Sequence, residues 1–271
     1  MFSLNLKDYL NITTFGSSLG EYKIRFIDKS KFLKDVKHAE EIEYDFGNGY
    51  YNSNIELANL VAGFVKPYKP NYSKLVLKTI YLRNQREERP TENCQADLFK
   101  TYLDQFIAFD AIRVPHIHNP VYYHDKLEVV APEELYRLNG NIIFPDEGIF
   151  QFYKDFKKWA EICNSKNTLS NSYTFFKKER IEDSIVSACN DINFIMENND
   201  FVIFDDIIAG GDSIIAAVKE ILQINSKAKI TIKCIFLMSD YGRQNILKHL
   251  PNVKIEPIYD LEEISKLEKL I

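Results

Sequence analysis

The chain is poor in cysteine, glycine and tryptophan, and it has no long apolar run. Its four cysteines (Cys94, Cys163, Cys189 and Cys234) are scattered over 271 residues with no CxxC pair. That spacing argues against a disulfide framework or a cysteine-rich zinc module, so reduced thiols in a cytoplasmic protein are expected. No apolar stretch approaches the ~20 residues of a membrane span. The opening MFSLNLKDYL lacks the basic flank and apolar core of a secretory leader, so no membrane association is expected. A net charge of -5 leaves no basic footprint for nucleic acid, and an anionic substrate would need a local cluster of Arg and Lys. With only ten glycines in the chain, an adjacent pair followed by Asp and Ser stands out.

The remaining composition, 45% hydrophobic and 27% charged, is that of a globular protein with room for one large or two small domains. Strand-like and helix-like segments alternate, which favours an α/β fold with largely parallel sheets. Strands are predicted at 21–27, 74–82, 111–114, 141–144, 201–208, 230–238 and 253–258. Helices are predicted at 55–65, 96–106, 150–162, 185–196 and beyond 212. Residues 177–180 read as a polar connection. Two halves are expected, 1–139 and 140–257, with a helical tail (258–271) returning to the first half.

The most informative segment is Phe201-Val-Ile-Phe-Asp-Asp-Ile-Ile-Ala-Gly-Gly-Asp-Ser-Ile-Ile215. An apolar strand ends in Asp205 and Asp206, and a turn through Ala209, Gly210, Gly211, Asp212 and Ser213 leads into a helix. Carboxylates inside an apolar strand are costly unless bound or paired. Beside a glycine turn and a helix N-terminus they suit a sugar phosphate, with acids gripping hydroxyls and free amides gripping phosphate.

This segment resembles the phosphoribosyl-diphosphate-binding motif of type I phosphoribosyltransferases, with Ala209 where that family usually has an acid and Asp212 where a small residue is usual. Other segments resemble the ribose-phosphate diphosphokinases of the same superfamily. Ile80-Tyr-Leu-Arg-Asn-Gln-Arg86 is similar to their Tyr-Ala-Arg-Gln-Asp-Arg segment. Arg113-Val-Pro-His-Ile-His118 resembles their strand ending in Asp-Leu-His, with His116 replacing the aspartate. Ile143-Phe-Pro-Asp-Glu-Gly148 resembles their Pro-Asp-x-Gly turn. Phe175-Phe-Lys-Lys-Glu-Arg180 resembles the Lys-x-Arg of their mobile catalytic loop, and Ser18-Leu-Gly-Glu21 their N-terminal Gly-Glu.

The resemblance implies two phosphoribosyltransferase type I-like domains, each a mostly parallel sheet flanked by helices. It implies transfer of the diphosphoryl group of ATP to ribose 5-phosphate. Arg83, Asn84, Gln85, Arg86, His118 and Glu21 would bind ATP. Asp205, Asp206, Ala209, Gly210, Gly211, Asp212 and Ser213 would bind ribose 5-phosphate. Lys178 and Arg180 would be catalytic, with Mg²⁺ near His118 and Asp146. A homo-oligomer is implied in the same way. Two alternatives stay open: a phosphoribosyltransferase consuming phosphoribosyl diphosphate, and a non-catalytic relative that binds nucleotide or ribose phosphate.

Overall fold

The computed structural model describes residues 2–15, 21–48, 55–82, 95–117, 125–162, 172–181 and 184–268. The chain divides into two compact units, Met1–Ala131 and Pro132–Ile271. The division therefore falls a few residues before the expected 139/140.

The first unit contains β1 (Ser3–Asn5), a hairpin of β2 (Leu10–Phe15) and β3 (Glu21–Phe26), α1 (Lys29–Asp35), β4 (Glu41–Asn48), α2 (Ile55–Val65), β5 (Lys74–Tyr81), α3 (Gln95–Asp104), β6 (Ala111–Val114) and β7 (Leu127–Val129). Strands β1, β4, β5, β6 and β7 form one sheet in that order, with every pairing parallel. Its core lies on one face. Ile42, Tyr44 and Phe46 of β4, Leu75 and Leu77 of β5, and Ile112 and Val114 of β6 pack with Phe32 of α1 and with Ala58, Val61, Ala62 and Val65 of α2. Helix α1 starts where the Asp28 side chain accepts the Lys31 N–H, an N-cap satisfying one orphan donor.

Alternation places Glu41 and Glu43 of β4 on the opposite face. Parallel sheets usually bury apolar residues on both sides, so carboxylates in an interior strand need a partner. Arg113 of β6 supplies it. Its guanidinium reaches Glu41 at 2.8 Å, Glu43 at 2.9 Å and Glu128 of β7 at 2.8 Å. Because β5 lies between β4 and β6, the side chain crosses β5 to do so, and Val76 of β5 is fully buried. The Arg113 hydrogen bond holds the Glu41 carboxyl below the usual carboxylate range, against the opposing effect of burial.

The second unit contains β8 (Asn141–Phe144), α4 (Glu147–Ile162), β9 (Ser172–Ile181), β10 (Ser184–Cys189), α5 (Ile192–Glu197), β11 (Asp200–Ile208), α6 (Asp212–Ile224), β12 (Lys229–Leu237), α7 (Asp240–His249), β13 (Lys254–Asp260) and α8 (Leu261–Glu268). Its sheet runs β10-β9-β8-β11-β12-β13. All pairings are parallel except the β9/β10 hairpin. One face packs Ile203, Ile232 and Cys234 against Ile214, Ala217, Val218 and Ile221 of α6 and Ile246 of α7. The other carries an aromatic layer in which Phe144 lies 5.0 Å from Tyr153 and 6.3 Å from Phe204, centroid to centroid.

Two expectations are corrected. Residues 177–180 belong to β9 rather than to a connection, and 184–189 form β10 rather than the start of a helix. The aromatic run Tyr173–Phe176 and the β-branched Ile185-Val186 favour strand, and each strand supplies the other's hydrogen bonds. Helix α8 packs on β12 and β13 within the second unit, where Glu262 accepts the Asp240 N–H at 2.6 Å and Lys266 pairs with Asp240 at 3.2 Å.

Arg113→Met removes the cation of Glu41 and Glu43 and leaves Glu128 only its pair with Lys74, and we expect it to lower stability by about 3 kcal/mol at pH 7. Since the folded pKa of Glu41 is depressed, that stability is present above its unfolded value of about 4 and is lost as pH falls through the folded one. Urea midpoints of wild type and variant at pH 7 and pH 3 check this, with the gap narrowing in acid.

Candidate functional site

The parallel register brings the acids to one edge of the second sheet. Ile203 of β11 pairs with Ile143 of β8, and three residues further along each chain stand Asp206 and Asp146. Adjacent strands lie about 4.8 Å apart, so Asp146, Asp205 and Asp206 collect at the C-terminal strand ends. Asp205 lies opposite Cys234 of β12. Asp206 is buried, at 5% exposure. The acids also organise the backbone: Asp205 Oδ1 accepts the Asp206 N–H at 2.9 Å, and Asp206 Oδ1 accepts the Ile207 N–H at 2.8 Å. Asp146 Oδ1 accepts the Ile149 N–H at 3.1 Å, tying it to the first turn of α4.

Burial pushes the Asp205 carboxyl well above its usual range, and the charges of Asp206 and Asp146 push it further. Burial likewise raises the Cys234 thiol, with Asp205 and Asp206 adding to the effect. A buried thiol shifted in that direction is inert as a nucleophile.

After β11 the chain turns through Ala209, Gly210 and Gly211 into α6. Gly211 has φ +84°, the left-handed region that favours glycine, and it accepts the Ile215 N–H through its carbonyl at 2.9 Å. The first-turn amides of α6 have no acceptor within the helix, and its dipole is positive at this end. An anion can be held there.

Sequence reasoning missed α7, which braces this turn. A Cβ on Gly242 would stand 2.2 Å from the Ala209 carbonyl oxygen, and one on Gly211 would stand 2.5 Å from the Ile246 side chain. Asn245 donates from Nδ2 to the Gly210 carbonyl at 2.7 Å and to Asp212 Oδ1 at 3.2 Å. Arg243 pairs with Asp260 at the end of β13. The only signal for this in the sequence was a glycine inside the helical stretch Asp240-Tyr-Gly-Arg-Gln-Asn245.

The structure thus brings together Asp146, Asp205, Asp206, Ala209, Gly210, Gly211, Asp212 and Ser213. Arg83, Asn84, Gln85, Arg86 and His118 lie outside the described residues. Glu21 opens β3 in the first unit. Lys178 and Arg180 pair with Ser187 and Ile185 of β10, so the expected catalytic loop is a strand at this point. Among the described residues, no group of three or more His, Cys, Asp or Glu side chains is arranged to hold a metal ion. No helix among them is long and apolar enough to cross a membrane.

Two sheets of this kind, mostly parallel and flanked by helices, define the fold class expected from the sequence. The same fold occurs in the crystal structure of phosphoribosylpyrophosphate synthetase from Mycobacterium smegmatis, to which this chain is similar over 99% of both chains with a TM-score of 0.59 and 14% identity. At that identity the likeness concerns the fold alone. The structure of the AQ2163 protein from Aquifex aeolicus overlaps 43% of this chain and 52% of its own at a TM-score of 0.28 and 18% identity, too weak to bear on the fold. No family model matches the sequence, and no curated protein matches it.

Two substitutions test the site's physics. The stability carried by neutral Asp205 is fully present below its unfolded pKa of about 4 and is lost as pH rises through the raised folded value. Asp205→Asn keeps an acceptor for the Asp206 N–H and removes the charge, so calorimetry at pH 8 should show melting about 2–4 °C higher, a gain that closes near pH 4. Gly242→Ala drives a methyl into the Ala209 carbonyl; it should cost about 1–3 kcal/mol and speed amide exchange across 209–213.

Proposed function

We propose that the protein is a divergent ribose-phosphate diphosphokinase, transferring the diphosphoryl group of ATP to ribose 5-phosphate. The observation that carries this reading is the meeting of Asp205, Asp206 and Asp146 with a glycine turn and the α6 N-terminus at one sheet edge. In this reading the backbone amides of Gly210–Ser213 hold the 5-phosphate and the acids hold ribose hydroxyls. The anomeric hydroxyl oxygen attacks the β-phosphorus of ATP, the bond to the α,β-bridging oxygen breaks, AMP departs, and the hydroxyl proton is released. Such transfer depends on positioning and charge neutralisation more than on covalent participation.

Arg83 and Arg86 would hold the nucleotide phosphates by bidentate contacts, with Asn84 or Gln85 available to adenine and Glu21 to a nucleotide bound by a neighbouring subunit of a homo-oligomer. Lys178 and Arg180 would neutralise the transferred group. Mg²⁺ suits this donor set: it favours oxygen ligands, retains water and binds through one or two carboxylates plus substrate phosphates rather than in an all-protein cage. In this reading Asp146 would supply such a carboxylate, with His118 as the other protein ligand that the resemblance implies, and the ion's charge would offset that of the phosphates. Burial raises the Asp205 pKa most, and the charges of Asp206 and Asp146 add to it; a nearby cation would offset that like-charge part.

A second reading is a non-catalytic binder of ribose phosphate. It draws on the pairing of Lys178 and Arg180 within the β9/β10 hairpin and on Ala209, where an acid would otherwise stand. AMP measurement after incubation with ATP and Mg²⁺ separates the two. AMP formed only when ribose 5-phosphate is present supports the enzyme; ribose 5-phosphate bound without AMP release supports the binder.

A further inference from the structure

Arg113 and Arg243 both stand among carboxylates, but their donors are used differently. Arg113 donates from Nε, Nη1 and Nη2 to Glu41, Glu43 and Glu128, so its fork is filled. Arg243, in the first turn of α7, donates from Nη2 to Asp260, its only hydrogen-bonding partner among the described residues. Most of the guanidinium's N–H donors therefore have no acceptor among those residues. The side chain is 27% exposed, so solvent reaches it without surrounding it.

Its place is fixed from two sides. Asp260, the last residue of β13, is buried; its Oδ1 accepts the Glu263 N–H at 3.2 Å, and its Oδ2 holds the guanidinium. Helix side chains lean toward the N-terminus of their helix, and α7 starts just past the C-terminal end of β12. Arg243 therefore leans toward the strand-end edge where the acids collect. Asp260 stands opposite Leu237, and Leu237 opposite Ile208, two residues past Asp206. The span from β11 to β13 is two strand spacings, roughly 10 Å. The Arg243 charge is felt on the strand between them, where it lowers the Cys234 thiol against the opposing effect of Asp205 and Asp206.

Acids suit hydroxyls but repel phosphate, so a phosphorylated ligand at this edge needs a cation. Lys266 is taken up by Asp240 at 3.2 Å and Glu262 at 3.1 Å. Arg243 is anchored by one carboxylate and has donors left over. We propose that Arg243, held by Asp260, binds a phosphoryl group of the ligand whose hydroxyls meet Asp205 and Asp206. This rests on the proposed reading of the site and adds to it a residue that the sequence did not mark. A planar guanidinium suits the role, because it can donate to a carboxylate along one edge and to phosphate oxygens along another. The phosphoryl group belongs to the sugar phosphate or to the nucleotide, and titration with each separates the two sources.

Calorimetric titration of the full chain with ribose 5-phosphate, and separately with ATP and Mg²⁺, is compared for wild type, Arg243→Lys and Arg243→Met/Asp260→Asn, below the melting temperature of each. The double variant removes cation and anion together, so no buried charge is stranded, and asparagine still offers an acceptor to the Glu263 N–H. It should bind at least one of the two ligands about tenfold more weakly than wild type, with unphosphorylated ribose unaffected. Arg243→Lys, which keeps the charge and gives up the fork, should fall between the two. A loss seen with ribose 5-phosphate assigns Arg243 to the sugar phosphate, and a loss seen with ATP assigns it to the nucleotide. Wild-type affinity for both ligands in the double variant, or a loss that extends equally to ribose, overturns the inference and leaves the reading of the site intact. Failure of the wild-type protein to bind either ligand overturns that reading and the inference with it.

Discussion

In the second sheet, β8, β11 and β12 pair in parallel, so their C-terminal ends share one edge, and whatever residues stand there are forced into company. Asp146 and the Asp205–Asp206 pair come from segments about sixty residues apart in sequence, and register alone makes them neighbours. Burial is the main cause of the elevated Asp205 pKa, and the crowding by Asp206 and Asp146 adds an electrostatic cost to it. A protein built for stability alone would not keep three acids in that position; a protein that binds a hydroxyl-rich or cation-bearing ligand gains from it.

The glycine turn depends on a different element. Helix α7 comes close enough to leave no room for a Cβ at Gly242 or Gly211. The turn is thus clamped between its own strand and a helix that begins about thirty residues later. Preorganised amides reorganise little when an anion arrives, which is how backbone cradles achieve affinity without a basic side chain.

Much of this was legible in the sequence, for identifiable reasons. The apolar run 201–208 and the helical spacing after Asp212 carry periods that survive in isolation, and α2, β6 and β8 have the predicted limits. The hairpin of β9 and β10 was not legible because Lys177–Arg180 are polar in composition, and their strand character comes from a partner strand rather than from local preference. Strand β4 shows the same problem more sharply. Glu-Ile-Glu-Tyr-Asp-Phe alternates with period two, yet acids in the middle of a parallel sheet are unreasonable until Arg113, seventy residues away, provides the countercharge. The roles of Gly242 and Asn245 were hidden for a related cause: they are defined by carbonyls of another segment, and the one local mark was a glycine inside a helical stretch.

The layer of Glu41, Glu43, Arg113 and Glu128 has a consequence for how this sequence can change over time. The residues depend on one another: losing Arg113 strands Glu41 and Glu43 and leaves Glu128 only its exposed pair with Lys74, while losing the anions strands the cation. Substitution at any single one meets resistance, whereas simultaneous replacement by a well-packed apolar set meets little. The four positions form one heritable character. Change at these positions is therefore expected to come as a set rather than one residue at a time.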